Sequence, residues 1–148
     1  MLIGQYSSKI TSKRRIAIPK GIRVHLGESF IASRWYEESL VLFSKDDWNA
    51  LSRKLIGKRK MAVLPVRDTE RFILGSAYEL TVDSQGRVVM PSALIKFAKL
   101  ESAVIFLGLG DRVEVWSEKE WEKREEFITK NAAKFVEELS KNDEINNK

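Results

Sequence analysis

Two stretches of the chain decide its fold: Lys9-Ile-Thr-Ser-Lys-Arg-Arg-Ile-Ala-Ile-Pro19 and Thr81-Val-Asp-Ser-Gln-Gly-Arg-Val-Val-Met-Pro91. They superpose at an offset of 72 residues, with Ser12 on Ser84, Arg15 on Arg87 and Pro19 on Pro91. The apolar positions follow: Ile10, Ile16, Ile18 and Ile22 meet Val82, Val88, Met90 and Leu94. Further along, Phe43-Ser-Lys-Asp-Asp-Trp48 meets Trp116-Ser-Glu-Lys-Glu-Trp121 at an offset of 73, and upstream Gly4 meets Gly75 at 71. Self-similarity at a nearly fixed period marks an internal repeat, and single-residue shifts between blocks are what loop insertions leave. The chain therefore reads as two half-domains, 1–60 and 72–148, joined by a connector, 61–71.

Each half has the same grammar. An alternating or apolar run, 2–10 or 73–82, predicts a strand. A polar turn follows, Thr11–Arg14 or Asp83–Gly86, then a second strand, Arg15–Ile18 or Arg87–Met90. Gly86 accepts a positive φ without strain, whereas Arg14 at the matching position does not. Pro19 and Pro91 stop these strands and open short helices ending near Gly27 and Lys99. Two more strands are expected in each half, 29–34 and 39–43, then 103–107 and 111–116, the last pair turning through Gly108–Asp111. Each half closes with a helix. Ser44-x-x-Asp47 and Ser117-x-x-Glu120 resemble capping boxes, whose side chains bond the free N–H groups of a first turn. Trp48, Leu51 and Leu55 share a face of the first of these helices. Trp121, Arg124, Ile128, Ala132, Phe135 and Leu139 follow helical spacing on the second, over some twenty residues, with a polar, frayed tail from Asn142.

The 148 residues suit one domain or two small ones, and 43% hydrophobic content argues against disorder. The absence of cysteine excludes disulfide scaffolds and thiolate chemistry and suits a reducing cytoplasm. One histidine leaves zinc sites and His-based triads short of parts. No apolar run approaches the roughly 20 residues of a membrane span, and the N-terminus lacks the pattern of a signal peptide. The net charge of +5 hides an asymmetry. Residues 1–27 carry Lys9, Lys13, Arg14, Arg15, Lys20 and Arg23 and no acid, a charge of +6. Residues 53–71 carry Arg53, Lys54, Lys58, Arg59, Lys60, Arg67 and Arg71 against Asp68 and Glu70, a charge of +5. From Ser117 onward nine acids outnumber seven bases. Such a basic half is either a solvated surface or a face for a polyanion.

Catalytic constellations are poorly represented. His25 lies between Val24 and Leu26 in a short helical segment with no acid before Glu28. Asp46-Asp47 falls in a helix first turn, where the dipole favours negative charge, and Glu37-Glu38 in a hairpin turn. Gly108-Leu-Gly110 joins two strands, so it lacks the following helix of a phosphate loop. Trp48, Trp116 and Trp121 sit at repeat-related strand ends and helix starts, which favours core packing over base stacking. No metal, cofactor or small-molecule substrate is expected, and the chain does not read as an enzyme. The best site is the first turn of each half. Lys13, Arg14 and Arg15, flanked by Lys9 and Lys20, project from one edge and can reach several phosphates. The second turn offers Arg87 with Asp83. Arg15 or Arg87 can reach guanine edges, where the fork matches two acceptors, or Arg87 pairs with Asp83 as a brace of the turn. Thr11 offers Arg15 no such charge.

The segment Tyr78-Glu-Leu-Thr-Val-Asp-Ser-Gln-Gly-Arg-Val-Val-Met-Pro91 resembles the signature of AbrB-like swapped-hairpin transcription factors, and residues 1–140 resemble the MraZ family. The shared features are an opening strand with Gly4-Gln5-Tyr6, two tandem repeats with a motif arginine, and Leu107-Gly-Leu-Gly-Asp-Arg-Val-Glu-Val-Trp116. The resemblance implies an α+β, mainly β fold. Two SpoVT/AbrB-type swapped-hairpin repeats would form a pseudo-twofold, double-ψ-type β-barrel with flanking helices. It also implies a cytoplasmic, nucleoid-associated bacterial regulator. Such a protein would bind double-stranded DNA at short direct repeats upstream of its own division and cell-wall operon, as a ring-shaped homo-oligomer. Carried over by position, Arg15 and Arg87 are the motif arginines and Asp83 is the motif acid. Thr11 and Arg14 depart from the family's usual Asp and Gly. AbrB-like folds also serve as antitoxins or protein-bridging modules. Those add a disordered binding tail, whereas the C-terminal segment here is amphipathic and tryptophan-anchored.

Overall fold

The computed structural model describes residues 1–55 and 63–146. Lys58, Arg59 and Lys60 of the basic stretch, and the start of the connector, lie outside the described residues.

The first half supplies β1 (Ile3–Thr11), β2 (Arg15–Ala17), α1 (Lys20–Leu26), β3 (Ser29–Arg34), β4 (Leu40–Ser44) and α2 (Lys45–Leu55). Then come α3 (Leu64–Ile73), β5 (Tyr78–Thr81), β6 (Arg87–Val89), α4 (Ser92–Phe97), β7 (Ala103–Leu109), β8 (Val113–Ser117) and α5 (Glu118–Asn146). Among the described residues these eight strands form one antiparallel sheet in the order β5-β3-β4-β8-β7-β1-β2-β6. Its ends approach each other through the backbone bond from Asp83 N to Arg87 O (2.8 Å), which nearly closes a barrel.

The order interleaves the halves. β1 of the first half pairs with β7 of the second, and β5 of the second pairs with β3 of the first. The remaining cross-half pairs are each strand with its own counterpart: β2 with β6, and β4 with β8. In the former Ile16 faces Val88, residues already matched at the offset of 72; in the latter Val41 faces Glu114, matched at 73. A residue opposite its own repeat mate lies on a twofold axis, so the pseudo-twofold passes through these two pairs. The swapped-hairpin barrel is thus built within one chain.

The interior draws on both halves. Ile16, Ile22, Phe30, Leu40, Leu42, Val88, Met90, Leu94, Val104 and Phe106 are buried in one apolar cluster. β4 reads Leu-Val-Leu-Phe and β7 Val-Ile-Phe-Leu because both faces of these strands are buried, which removes the polar alternation. Gly108 pairs with Gly4, and a Cβ there would lie 2.8–2.9 Å from the Ile3 backbone, so only glycine lets β1 approach β7.

Several element boundaries differ from the sequence reading. Residues 73–77 are not strand: α3 runs to Ile73 and a 3-10 turn spans Leu74–Ser76. Arg34 stacks over Phe72 at 4.7 Å and donates to the Phe72 carbonyl (3.2 Å), while the Ser33 hydroxyl donates to the Ile73 carbonyl. These bonds satisfy helix-end carbonyls, so tertiary partners decide this helix and not the local alternation. The last hairpin turns at Gly110–Arg112, because β7 continues to Leu109. The Ser44 cap forms, its hydroxyl accepting from Asp47 N (3.2 Å) and donating to Asp47 Oδ2 (3.1 Å).

The chain divides into two compact units, Met1–Ser117 and Glu118–Lys148. α5, the second, spans 29 residues and stays helical through Asn146, past the expected fraying point. Glu126 with Lys130 (2.9 Å) and Glu137 with Lys141 (3.8 Å) are i,i+4 ion pairs of the favoured polarity.

Candidate nucleic-acid interface

The two turns that follow β1 and β5 are built differently. In the second, Asp83 Oδ1 accepts the backbone N–H groups of Gln85 (2.8 Å) and Arg87 (3.0 Å), and its Oδ2 faces Arg87 Nε at 3.3 Å. The Arg87 backbone N–H is the main influence holding the Asp83 carboxyl below its ordinary range; desolvation opposes it, and the Gln85 N–H and the Arg87 charge add to the lowering. The left-handed position belongs to Gly86, φ +78.

In the first turn Thr11 Oγ1 donates to the Arg15 carbonyl (3.2 Å), so it neither accepts the turn's N–H groups nor balances a charge. Lys13 (φ 62, ψ 27) and Arg14 (φ 60) both take the left-handed conformation. Each such L-residue costs roughly 1 kcal/mol. Arg14 repeats the backbone sign of Gly86 and adds a cation. Its Nη1 makes only a long bond, 3.4 Å, to the Met90 carbonyl.

The β2·β6 ribbon brings the two turns onto one surface. Arg15 faces Val89, Ile16 faces Val88 and Ala17 faces Arg87. Ile16 and Val88 point into the core, so Arg15, Ala17, Arg87 and Val89 line the outer side. Arg15 and Arg87 are diagonal neighbours there, with Cα atoms about 7–8 Å apart. Symmetric backbone bonds tie each turn to the opposite strand end, Ile18 N to Gly86 O and Met90 N to Arg14 O, both 2.9 Å. Lys9 is exposed on β1, opposite Ala103. Lys20 is exposed at the start of α1, the helix that runs beside the second turn.

Residues 1–27 bring to this surface six cations and no acid. Among the described residues Lys9, Lys13, Arg14, Arg15, Lys20 and Arg23 form no ion pair. Some cations elsewhere meet acids: Lys45 with Glu79, Arg71 with Asp68 (2.9 Å), Lys99 with Glu38 (2.9 Å) and Arg112 with Asp111 (3.0 Å). Six cations with no acid in their own segment leave a positive field, tempered only locally by Glu28 and Asp83, which line the cleft beside Arg23.

The other candidates are structural. His25 is exposed, Asp47 serves the Ser44 cap, and Glu37 and Glu38 form the β3–β4 turn. Trp116 and Trp121 are buried, and Trp48 packs on Phe43 at 6.0 Å between ring centres. Among the described residues no group of three or more histidines or carboxylates is placed to hold a metal ion. Arg23, which local spacing marked only as one more charge, lies against Gly86 of the other half. The sequence signal for it was indirect: a glycine at a repeat position where the other half has arginine.

Comparison with known proteins agrees with this architecture. Residues 73–143 match a family model described as "MraZ protein, putative antitoxin-like". The chain is 35% identical over 140 residues to the transcriptional regulator MraZ of Oenococcus oeni, covering 95% of this chain and 97% of that protein. It is 41% identical over 126 residues to the protein of that name from Caldanaerobacter subterraneus subsp. tengcongensis, covering 83% and 85%. It is 36% identical over 149 residues to that of Thermoanaerobacter pseudethanolicus, covering 99% of both.

Proposed function

The chain belongs to the MraZ family, and from that premise we propose that it is a non-enzymatic transcriptional regulator that binds double-stranded DNA. The observation that carries the reading is the unpaired cation cluster beside the outer face of the β2·β6 ribbon, where both motif arginines stand. Lys9, Lys13, Arg14 and Lys20 meet phosphates, which sets affinity and makes it salt-dependent. Arg15 reaches into a groove, where its fork reads guanine. Arg87, shared with Asp83, adds a weaker contact from the second turn.

The finer reading follows the family. The two halves, 1–60 and 72–148, act as paired AbrB-like repeats on short direct repeats upstream of the protein's own operon, which carries division and cell-wall genes. Copies assemble into a ring, so successive copies meet successive DNA repeats and modest single contacts multiply through effective concentration. The protein would then work in the cytoplasm, on the nucleoid. A gel shift on the upstream region tests the core of this. Arg15→Ala is expected to weaken binding at least tenfold, about 1.4 kcal/mol, and to flatten the salt dependence. Unchanged affinity and an unchanged salt slope would remove Arg15 from the interface.

A second reading, an antitoxin or protein-bridging module, is favoured by the wording of the matching family model. A wild-type protein that binds no duplex but co-purifies with the product of an adjacent gene would establish it instead.

A further inference from the structure

The first turn carries three cations in its own sequence, whereas the second has Arg87 alone, and Arg87 is shared with Asp83. The structure brings another cation to that second turn from the other half. We propose that Arg23, on α1 of the first half, is a phosphate-binding residue of the second half's turn, an inference that rests on the DNA-binding reading above.

The backbone puts it there. Ile18 N donates to Gly86 O (2.9 Å) just before α1, and Val82 N donates to Glu28 O (2.8 Å) just after it. The helix between these two ties is held alongside the Asp83–Arg87 turn. The guanidinium of Arg23 lies over Gly86: a Cβ built on that glycine would sit 2.8 Å from Nη1, 2.9 Å from Cζ and 3.3 Å from Nη2. Gly86 is therefore required twice, for its φ of +78 and for the space that the guanidinium fills.

The head group is oriented but not neutralised. Arg23 Nε donates to the Ile18 carbonyl at 2.9 Å, which fixes the plane of the fork. Among the described residues Nη1 and Nη2 have no hydrogen-bond partner or ion pair. Glu28 and Asp83 line the same cleft of about 390 Å³, yet neither pairs with Arg23. A fork held by one nitrogen, with two others unused, is set to receive the oxygens of a phosphate. At the matching position 72 residues on stands Ile95, half-buried on α4, so the first turn receives no such cation. The halves thus reach a similar end by different routes. The first turn holds its cations in its own strained residues, and the second borrows one across the pseudo-twofold.

The test is fluorescence anisotropy on a duplex carrying the region upstream of the protein's own coding sequence, over a series of salt concentrations. Arg23→Gln is expected to lower affinity and to reduce the slope of log affinity against log salt by about one. Arg23→Lys, which keeps the charge and gives up the Nε bond, is expected to retain most of the slope. A slope equal to wild type in Arg23→Gln overturns the proposal. So does an equal loss of affinity in both variants with no change of slope, which assigns Arg23 to packing alone. A wild type that binds no duplex overturns the DNA-binding reading and this proposal with it, whereas failure of Arg23→Gln on a wild type that binds overturns this proposal alone.

Discussion

At Arg14 conformation and charge conflict. The backbone needs a left-handed residue there, as Gly86 provides in the other half, yet the chain places an arginine at φ 60. Strain of this kind persists when the residue has another use, and a cation held at the rim of the ribbon is such a use. Replacing Arg14 by glycine should relieve about 1 kcal/mol or more of strain, partly offset by the extra freedom of glycine in the unfolded chain. Thermal unfolding of Arg14→Gly is therefore expected a few degrees higher, roughly 2–4 °C, while DNA affinity falls. A lower melting temperature would show that the long bond to Met90 outweighs the strain. The motif arginines Arg15 and Arg87 were legible in the sequence because they repeat, and Asp83 because it stands four residues before Arg87 in the resembled motif, whereas its mate is Thr11. The conformation of Arg14 was not, because a local sequence reads arginine as a poor turn residue and cannot weigh the closure that forces it.

Among the elements, the strands were the most legible and the connections the least. Apolar runs and the two prolines mark β2, β6, α1 and α4 to within a residue or two. The run at 73–77 failed as a strand because helix-end carbonyls there find Ser33 and Arg34, partners some forty residues away in sequence. The β1·β7 pair shows how one residue controls an element. Gly108→Ala would press a methyl group against the Ile3 backbone at 2.8–2.9 Å. Since the neighbouring atoms are backbone, the strands must part, at a cost of roughly 2–3 kcal/mol. Gly75→Ala, with nothing within 4 Å of its Cβ position, serves as the control. Chemical denaturation should separate the two, and equal midpoints would refute the steric reading.

For the molecule as a whole, interleaving makes the halves interdependent. Without β7, β1 keeps only its short pairing with β2 (Ile10 with Ile16, Thr11 with Arg15), β5 without β3 loses its ladder, and the shared cluster around Ile16 and Val88 is divided if the halves part. Neither 1–60 nor 72–148 expressed alone should unfold cooperatively as a monomer, whereas a mixture of the two should regain a transition. A cooperative monomeric transition in either half would contradict the interleaved core.

The repeat, the motif arginines, the acid-free first segment and the α+β character were determined by the sequence itself, because each is a matter of residue identity and spacing. Pairing was decided only in three dimensions. Hydrogen-bonded strands carry no label of their partner, and the twofold that sets Arg15 diagonal to Arg87 appears once β2 lies against β6. The same holds for Arg23. Its charge is plain in the chain, but its place at the other half's turn follows from the backbone bonds that carry α1 across the axis.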